Sequence, residues 1–306
     1  MQLCIIGKNS FVGNYFLEKY KTENTKEICL LTNKLEEISF SNTNSIIHLS
    51  ALVHQMKGAP EEKYFQVNSD LAYNTAKKAK TEGVFHFIYM STVKVYGEFT
   101  STGESWNENT KCNPIDTYRK SKLEGEQRIK DLEDDNFVVS IIRTPIVYGP
   151  GVKANMFNLI RLIEKSPFVP LGNIKNLHSM TFVGNLCQLI HSVIEQKKSG
   201  IFLASDEYPI STSDLVKEIS KASGKKNNII PIPTIAQKLI KTIKPNIHQR
   251  LFGNLVVNDT QTSKILNYSP EYSFEQGNSE MVEWDKKNKS FMDQVKSKYV
   301  LFSFAR

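Results

Sequence analysis

Five short apolar runs, set apart by stretches with helical spacing, limit what the first half of this chain can fold into. The runs are LCII (3–6), ICLL (28–31), SIIHLS (45–50), HFIYMS (86–91) and VVSIIRT (138–144). Each is unbroken and rich in Ile and Val, as expected of strands buried on both faces. Between them NSFVGNYFLEKYK, YFQVNSDLAYNTAKKAKTE and TYRKSKLEGEQRIKDLEDD have the spacing and length of helices. Strand, helix, strand repeated in this way predicts right-handed crossovers and a parallel, doubly wound α/β sheet. Only 13 residues separate ICLL from SIIHLS, so the second crossover is expected to be abbreviated, with EISF (37–40) at most a vestigial strand.

After YGPGVKAN the pattern loosens into segments punctuated by Pro and Gly. A helix follows at 183–196, a strand at GIFLAS, and helices near 211–223 and 234–243. This is read as a smaller unit partly interleaved with the sheet. At 306 residues the chain is long enough for two packed units. Its 40% hydrophobic and 23% charged residues are ordinary for a soluble protein, and no apolar run approaches the ~18 residues of a membrane span. Membrane insertion is therefore not expected. MQLCIIGKNS reads as a first strand rather than a signal peptide, so the cytoplasm is the default location.

Cys4, Cys29, Cys112 and Cys187 show no metal-ligand or CxxC spacing and read as reduced, largely core residues, the first two in strands. The six histidines are equally dispersed, so no metal site is expected. The net charge of +7 looks spread out, with SGKKNN a solvated loop, which argues against a nucleic-acid partner and suits an anionic substrate.

Two motifs carry chemistry. In GKNSFVG, Gly7, Ser10 and Gly13 lie between the first strand and the first helix, where glycines allow a backbone to approach a pyrophosphate held at a helix N-terminus. Ser10 stands at the middle glycine position, and an ordinary strand-to-helix turn explains the motif equally well. Tyr118 and Lys122, four apart on a helix, share a face. A lysine ammonium there would favour the phenolate and lower a pKa that is ordinarily ~10, fitting the tyrosine for general acid or base work. Alone, this spacing is also that of an exposed Tyr in a Lys-rich helix. Thr92, 26 residues earlier, ends a strand on the edge where open α/β sheets bind ligands.

Together these residues resemble an extended short-chain dehydrogenase/reductase of the NAD-dependent epimerase/dehydratase family. GKNSFVG, IIHLSA, YFQVNSDLAYNTAKKAKTEGV, MSTVKVYG, YRKSK, IIRTPIVYGPG, FVGNL and SKILNYSPEYSFEQG follow one another in family order over nearly the whole chain. The resemblance implies a Rossmann-like dinucleotide-binding domain over 1–145, to which part of 174–205 returns, and a mainly substrate-binding region over 146–306. It implies a catalytic triad of Thr92, Tyr118 and Lys122. An NAD(P)(H) cofactor would be held by Gly7, Ser10, Phe11, Val12, Gly13, Asn33, Leu49, Ser50, Ala51 and Pro145, with Tyr118 and Lys122 reaching its nicotinamide side. Asn68 is expected to brace the sheet edge rather than touch substrate. A homodimer built on the helices at 64–81 and 118–133 is implied as well.

Three departures bear on the details. Thr32, Asn33 and Lys34 stand where a ribose-binding carboxylate often follows the second strand, so NADP is permitted and NAD is not assured. Ile146 replaces an Asn that contacts substrate in the family. His178 takes the place of a diphosphate-binding Arg, leaving Lys153 or Arg250 to bind phosphate. The substrate contacts expected are thus Thr92, Lys94, Tyr118, Lys153, Asn155, His178 and Arg250.

Sugar 4,6-dehydratases of the family place Asp-Glu after the catalytic Thr, because water elimination needs a further acid and base. Here those positions are Val93 and Lys94, which argues against dehydration. The wording of STVKVYGE, RTPIVYGPGVKAN and PLGNIKNLHSMTFVGNL most resembles reductases that convert UDP-4-keto-6-deoxy-N-acetylglucosamine to UDP-N-acetylquinovosamine for surface polysaccharides. The expected activity is therefore 4-ketoreduction of a UDP-sugar. A UDP-glucose or UDP-N-acetylglucosamine 4-epimerase is the alternative, and a non-catalytic nucleotide-binding member a third.

Overall fold

A computed structural model of the chain describes residues 2–53 and 59–289. Its strands are β1 (Leu3–Ile6), β2 (Thr25–Ile28), β3 (Ser45–His48), β4 (His86–Thr92), β5 (Val138–Thr144), β6 (Ile146–Tyr148), β7 (Phe168–Gly172), β8 (Met180–Phe182), β9 (Gly200–Leu203) and β10 (Asn228–Pro231). The helices are α1 (Phe11–Tyr20), α2 (Glu61–Phe65), α3 (Ala72–Thr81), α4 (Thr117–Lys130), α5 (Ala154–Lys165) and α6 (Val183–Gln196), followed by α7 (Thr212–Ser223), α8 (Thr234–Ile243), α9 (Pro245–Phe252), α10 (Thr260–Leu266) and α11 (Phe274–Lys287). They fall into two compact units, one made of Met1–Ile146, Ser179–Pro209 and Asn254–Glu271, the other of Val147–His178, Ile210–Gly253 and Tyr272–Arg306.

The first unit is built on a six-stranded parallel sheet of order β2-β1-β3-β4-β5-β9, the doubly wound class that the apolar runs predict. β1 and β3 are buried along their whole length, which is why their sequences show no alternation. Ile46, Phe87, Phe137 and Val139 are fully buried on one face, where Ala72, Ala76 and Ala79 of α3 offer no bulk to hold the helix away. Each large side chain so buried contributes about 1.5–3 kcal/mol. The chain leaves β1 toward β2 on one side and returns to β3 on the other. That reversal of order opens a crevice beyond the C-terminal ends of β1 and β3.

Two strand expectations need correction. ICLL is not a strand: β2 is Thr25–Ile28, and Cys29–Leu31 form a turn in which Leu31 is 94% exposed. The pairing stops because β1 ends at Ile6, after which the N–H groups of Gly7 and Lys8 both donate to the Ile28 carbonyl. EISF is not a strand either. The short crossover is a 3₁₀ turn over Leu35–Glu37, after which Ile38 and Phe40 are buried in the same core as the sheet. The predicted helix through 64–81 is interrupted by a π-helical segment, Gln66–Leu71, between α2 and α3.

In the second unit β7 and β10 pair in parallel, and α5 is tied to α11 by Arg161, whose buried guanidinium donates to Asp285 (2.8 and 3.1 Å) and Glu164 (2.6 Å). A capping box between Ser273 and Gln276 starts α11. α8 lies in this unit with none of its described residues buried.

Candidate active site

The GKNSFVG turn is shaped by contact with the residues after β3. Gly7 has φ +124°, a conformation L side chains rarely adopt, and a Cβ there would sit 3.1 Å from Leu49 Cβ and 3.2 Å from Ser50 N. A Cβ on Gly13 would crowd the Ser10 hydroxyl at 2.6 Å and Leu49 Cδ1 at 3.2 Å. Ser10 is the N-cap of α1, its Oγ accepting from Gly13 N at 3.2 Å. The serine at the middle position is thus explained locally: it starts the helix whose N–H groups face the crevice. Leu49 and Ser50 are half-buried beside this turn and Ala51 is exposed. Phe11 and Val12 are half-buried, Asn33 lies in the exposed turn after β2 with its N–H on the Cys29 carbonyl, and Pro145 follows β5 half-buried. A bare backbone cradle at a helix N-terminus fits a dinucleotide diphosphate.

Thr92 ends β4 in register with Thr144 of β5, and its Oγ1 accepts from Lys94 N at 3.2 Å. Val93 is fully buried beside Val95, Trp106, Leu203 and Leu255, so its side chain faces core, not solvent. The Lys94 ammonium donates to the Glu98 carbonyl at 2.7 Å and lies 3.4 Å from the Glu98 carboxylate. Arg119, next to Tyr118, pairs with Glu98 and with Asp116, the N-cap of α4. The loop after Thr92 is thereby fastened to the helix start that carries Tyr118.

α4 presents Tyr118, Lys122 and Glu126 at successive intervals of four, along one face. Tyr118 meets the edge of Tyr64, ring centroids 6.4 Å apart. Lys122 is 2% exposed, and its ammonium rests 4.0 Å from the centre of the Tyr89 ring. Tyr89 in turn donates to the Asn68 carbonyl at 2.7 Å. Glu126 forms a buried pair with Arg143 of β5, whose Nε lies 3.1 and 3.2 Å and whose Nη2 lies 2.5 Å from the carboxylate.

These contacts correct the expected tuning of Tyr118. Burial pushes its hydroxyl up to about 12, with Asp116 adding and Arg119 opposing. Burial also pulls the Lys122 ammonium down to about 7 against the attraction of Glu126. The lysine faces the Tyr89 ring and is only partly protonated near neutral pH, so it does not act as a fixed positive charge on the phenol. A tyrosine held protonated in this way is suited first to donating its proton.

Asn68, expected at the sheet edge, is instead a clamp in the π-helical segment. It accepts from Leu52 N (2.8 Å) and donates to Leu52 O (3.0 Å) and Ser121 Oγ (3.0 Å), joining the loop after β3 to α4. The remaining expected substrate contacts lie in the second unit. Lys153 precedes α5 and is exposed, as is Asn155, while Arg250 is exposed on α9. The backbone of His178 exchanges two 2.9 Å hydrogen bonds with Ile210. In the first unit FVGNL is structural, its Phe182 N–H and Asn185 amide both donating to the Asp206 carboxylate.

Sequence reasoning missed His48, Tyr89 and the Glu126–Arg143 pair. Glu126 was visible as the next step of a four-residue interval from Lys122. His48 and Tyr89 carried no signal, since a polar ring within an apolar strand looks like any core residue until the neighbouring strands and α4 are placed.

A glycine cradle at the sheet reversal, with a Tyr-x-x-x-Lys helix beside β4, is the arrangement of dinucleotide-binding α/β enzymes. Residues 3–204 match the model of the NAD dependent epimerase/dehydratase family, and the chain belongs to that family. A UDP-glucose 4-epimerase of Vibrio cholerae is 36% identical over 250 residues, 79% of this chain and 76% of that protein. The N-acetyl-alpha-D-glucosaminyl-diphospho-ditrans,octacis-undecaprenol 4-epimerase of Escherichia coli O157:H7 is 26% identical over 76% of this chain and 75% of its own. Among solved structures, MoeE5 in complex with UDP-glucose and NAD has the same fold, with a TM-score of 0.74 at 17% identity over 94% of this chain and 99% of that one. Both of these curated relatives are 4-epimerases, and neither supports the ketoreductase expectation specifically.

Proposed function

We propose that the protein is a nucleotide-sugar 4-epimerase that inverts C4 of a UDP-hexose or UDP-N-acetylhexosamine. The observation that carries this reading is 36% identity to a UDP-glucose 4-epimerase across 79% of the chain. The residues after Thr92 support it as well. The position after Thr92 is a valine packed in the core, followed by a lysine engaged by Glu98, so these two positions provide no second acid and base for a C5–C6 elimination. Inversion at one carbon needs a proton acceptor and donor at a single oxygen; Tyr118 would take that role once its hydroxyl is brought down from the value it has in the cofactor-free protein, with the Thr92 hydroxyl hydrogen-bonding the same oxygen.

A nicotinamide cofactor, when bound, would take the C4 hydride and return it to the opposite face. Gly7, Ser10 and Gly13 would hold its diphosphate, Leu49, Ser50 and Ala51 would line it, and Lys122 would bond its ribose hydroxyls. Among the expected substrate contacts, Lys94 would reach the sugar only by leaving Glu98. Lys153, Asn155, His178 and Arg250 are proposed for the nucleotide. We further propose a homodimer formed through 64–81 and 118–133.

Ketoreduction of a UDP-4-keto-6-deoxy sugar is the second reading. The exposed Thr32-Asn33-Lys34 turn, without a ribose carboxylate, favours a cofactor that exchanges as NADPH. Purified protein given UDP-galactose without added reductant should form UDP-glucose, or the N-acetyl pair should interconvert. Stoichiometric NADPH oxidation with the 4-keto sugar, and no interconversion, would replace the epimerase by the reductase. Tyr118→Phe should lower kcat by about 10²–10⁴-fold in either reaction, the usual worth of a positioned acid–base group.

A further inference from the structure

The charge of this chain is less evenly distributed than its scattered lysines suggest. Residues 219–258 contain no Asp or Glu but seven cations: Lys221, Lys225, Lys226, Lys238, Lys241, Lys244 and Arg250. That equals the net charge of the whole chain, +7, so everything outside this stretch is balanced.

Within the stretch lies α8. At 100° per residue, Ile235, Leu239 and Ile243 fall on one stripe about 80° wide. All three are exposed, at 84%, 57% and 64%, and Ile247 at the start of α9 adds a fourth exposed aliphatic at 43%. Ala236 and Ile240, farther round the helix, are half-buried, so α8 is anchored by one side and shows aliphatics on the other. Lys238 lies about 60° from the Ile235 edge of the stripe, Lys241 about 60° further round on the same side, and Lys244 follows the helix. Isolated exposed aliphatics are common on protein surfaces, but three in register on one helix are not explained by folding.

We infer that α8 and the start of α9 form a docking surface for an anionic lipid bilayer, with Ile235, Leu239 and Ile243 entering the acyl boundary, Lys238 at the headgroups and the other cations of 219–258 adding to the attraction. The combination selects the partner. Isoleucines gain nothing from a nucleic acid, whose surface is phosphate and base edge, and a second copy of a segment with seven cations and no acid would be repelled. A bilayer with anionic headgroups satisfies both halves of the surface. This is attachment to a membrane face and not passage through it, since no described helix is long and apolar enough to cross. The inference is independent of which sugar the enzyme takes.

The test is co-sedimentation of the full chain with vesicles of phosphatidylcholine alone and of phosphatidylcholine with one quarter phosphatidylglycerol, at low and high salt. Binding should be at least tenfold stronger to the anionic vesicles and should weaken in 1 M NaCl. Replacing Lys238 by Gln should weaken it by about fivefold. I235S/L239S/I243S should abolish it while leaving the unfolding transition and turnover of a soluble nucleotide sugar unchanged. Equal binding to neutral vesicles, no binding at all, or a triple variant that still sediments would each overturn the inference. So would a triple variant that binds no vesicles but has half the solution mass of the parent, because the stripe would then be a contact between copies.

Discussion

Lys122 and His48 are residues whose environment sets their charge. The unfolded chain carries Lys122 with a pKa near its ordinary 10.5, and burial brings it to about 7 in the fold. Between those values the unfolded state binds more protons, so stability rises with pH across that window, and below about 7 the fold bears a buried charge in full. Lys122→Met should therefore stabilise the cofactor-free protein at pH 6, by an amount on the order of a few kcal/mol, and the gain should shrink toward pH 10. Urea unfolding at the two pH values measures it, and an equal gain at both would contradict it. His48 has a linkage of the same sign in a more acidic window. Its ring lies 5.8 Å from both Phe87 and Tyr89, 1% exposed, and burial followed by the charge of Lys122 lowers it to about 3. It is neutral in the fold and protonates in the unfolded chain near 6.5, so its contribution is complete above pH 6.5 and is lost as pH falls toward 3. His48→Leu should flatten the decline of the urea midpoint between pH 6.5 and 4. His86, lowered by burial to about 4, will keep part of that decline in place.

At the scale of elements, the strand-helix alternation was legible because its cause is local. Both faces of β1 and β3 are covered, so their side chains are apolar without alternation, and α6 and α8 fall at the predicted residues. The edge strand was misread because ICLL is as apolar as the true strands. Where β2 stops depends on where its partner strand, β1, ends and on Gly7 turning away, and neither is encoded in those four residues. The π-helical segment was invisible for a similar reason. It is supported by Tyr89 and by α4, which approaches closely enough that a Cβ on Gly125 would overlap the Asn68 carbonyl oxygen and lie 2.8 Å from the Tyr89 hydroxyl. Gly125→Ala should accordingly cost about 1–3 kcal/mol, where a helix-interior glycine would ordinarily gain from the change. A thermal midpoint at or above that of the parent would show that the two elements can separate at no cost.

For the whole molecule, the expected pairing of 64–81 and 118–133 predicts twice the chain mass by light scattering at micromolar concentration. A monomer there would remove the dimer from the proposal. The sequence by itself determined the parallel α/β class, the glycine turn and the lack of an elimination pair after Thr92, and it supplied the Thr-Tyr-Lys set as a proposal. These depend on periodicity and on residue type at fixed spacing, which the chain carries along its length. Only the tertiary structure decided that Lys122 faces the Tyr89 ring, that Tyr118 is pushed up rather than down, and that Asn68 clamps the loop after β3. Each depends on residues far apart in the chain meeting in a dry interior, where burial sets which groups can carry charge.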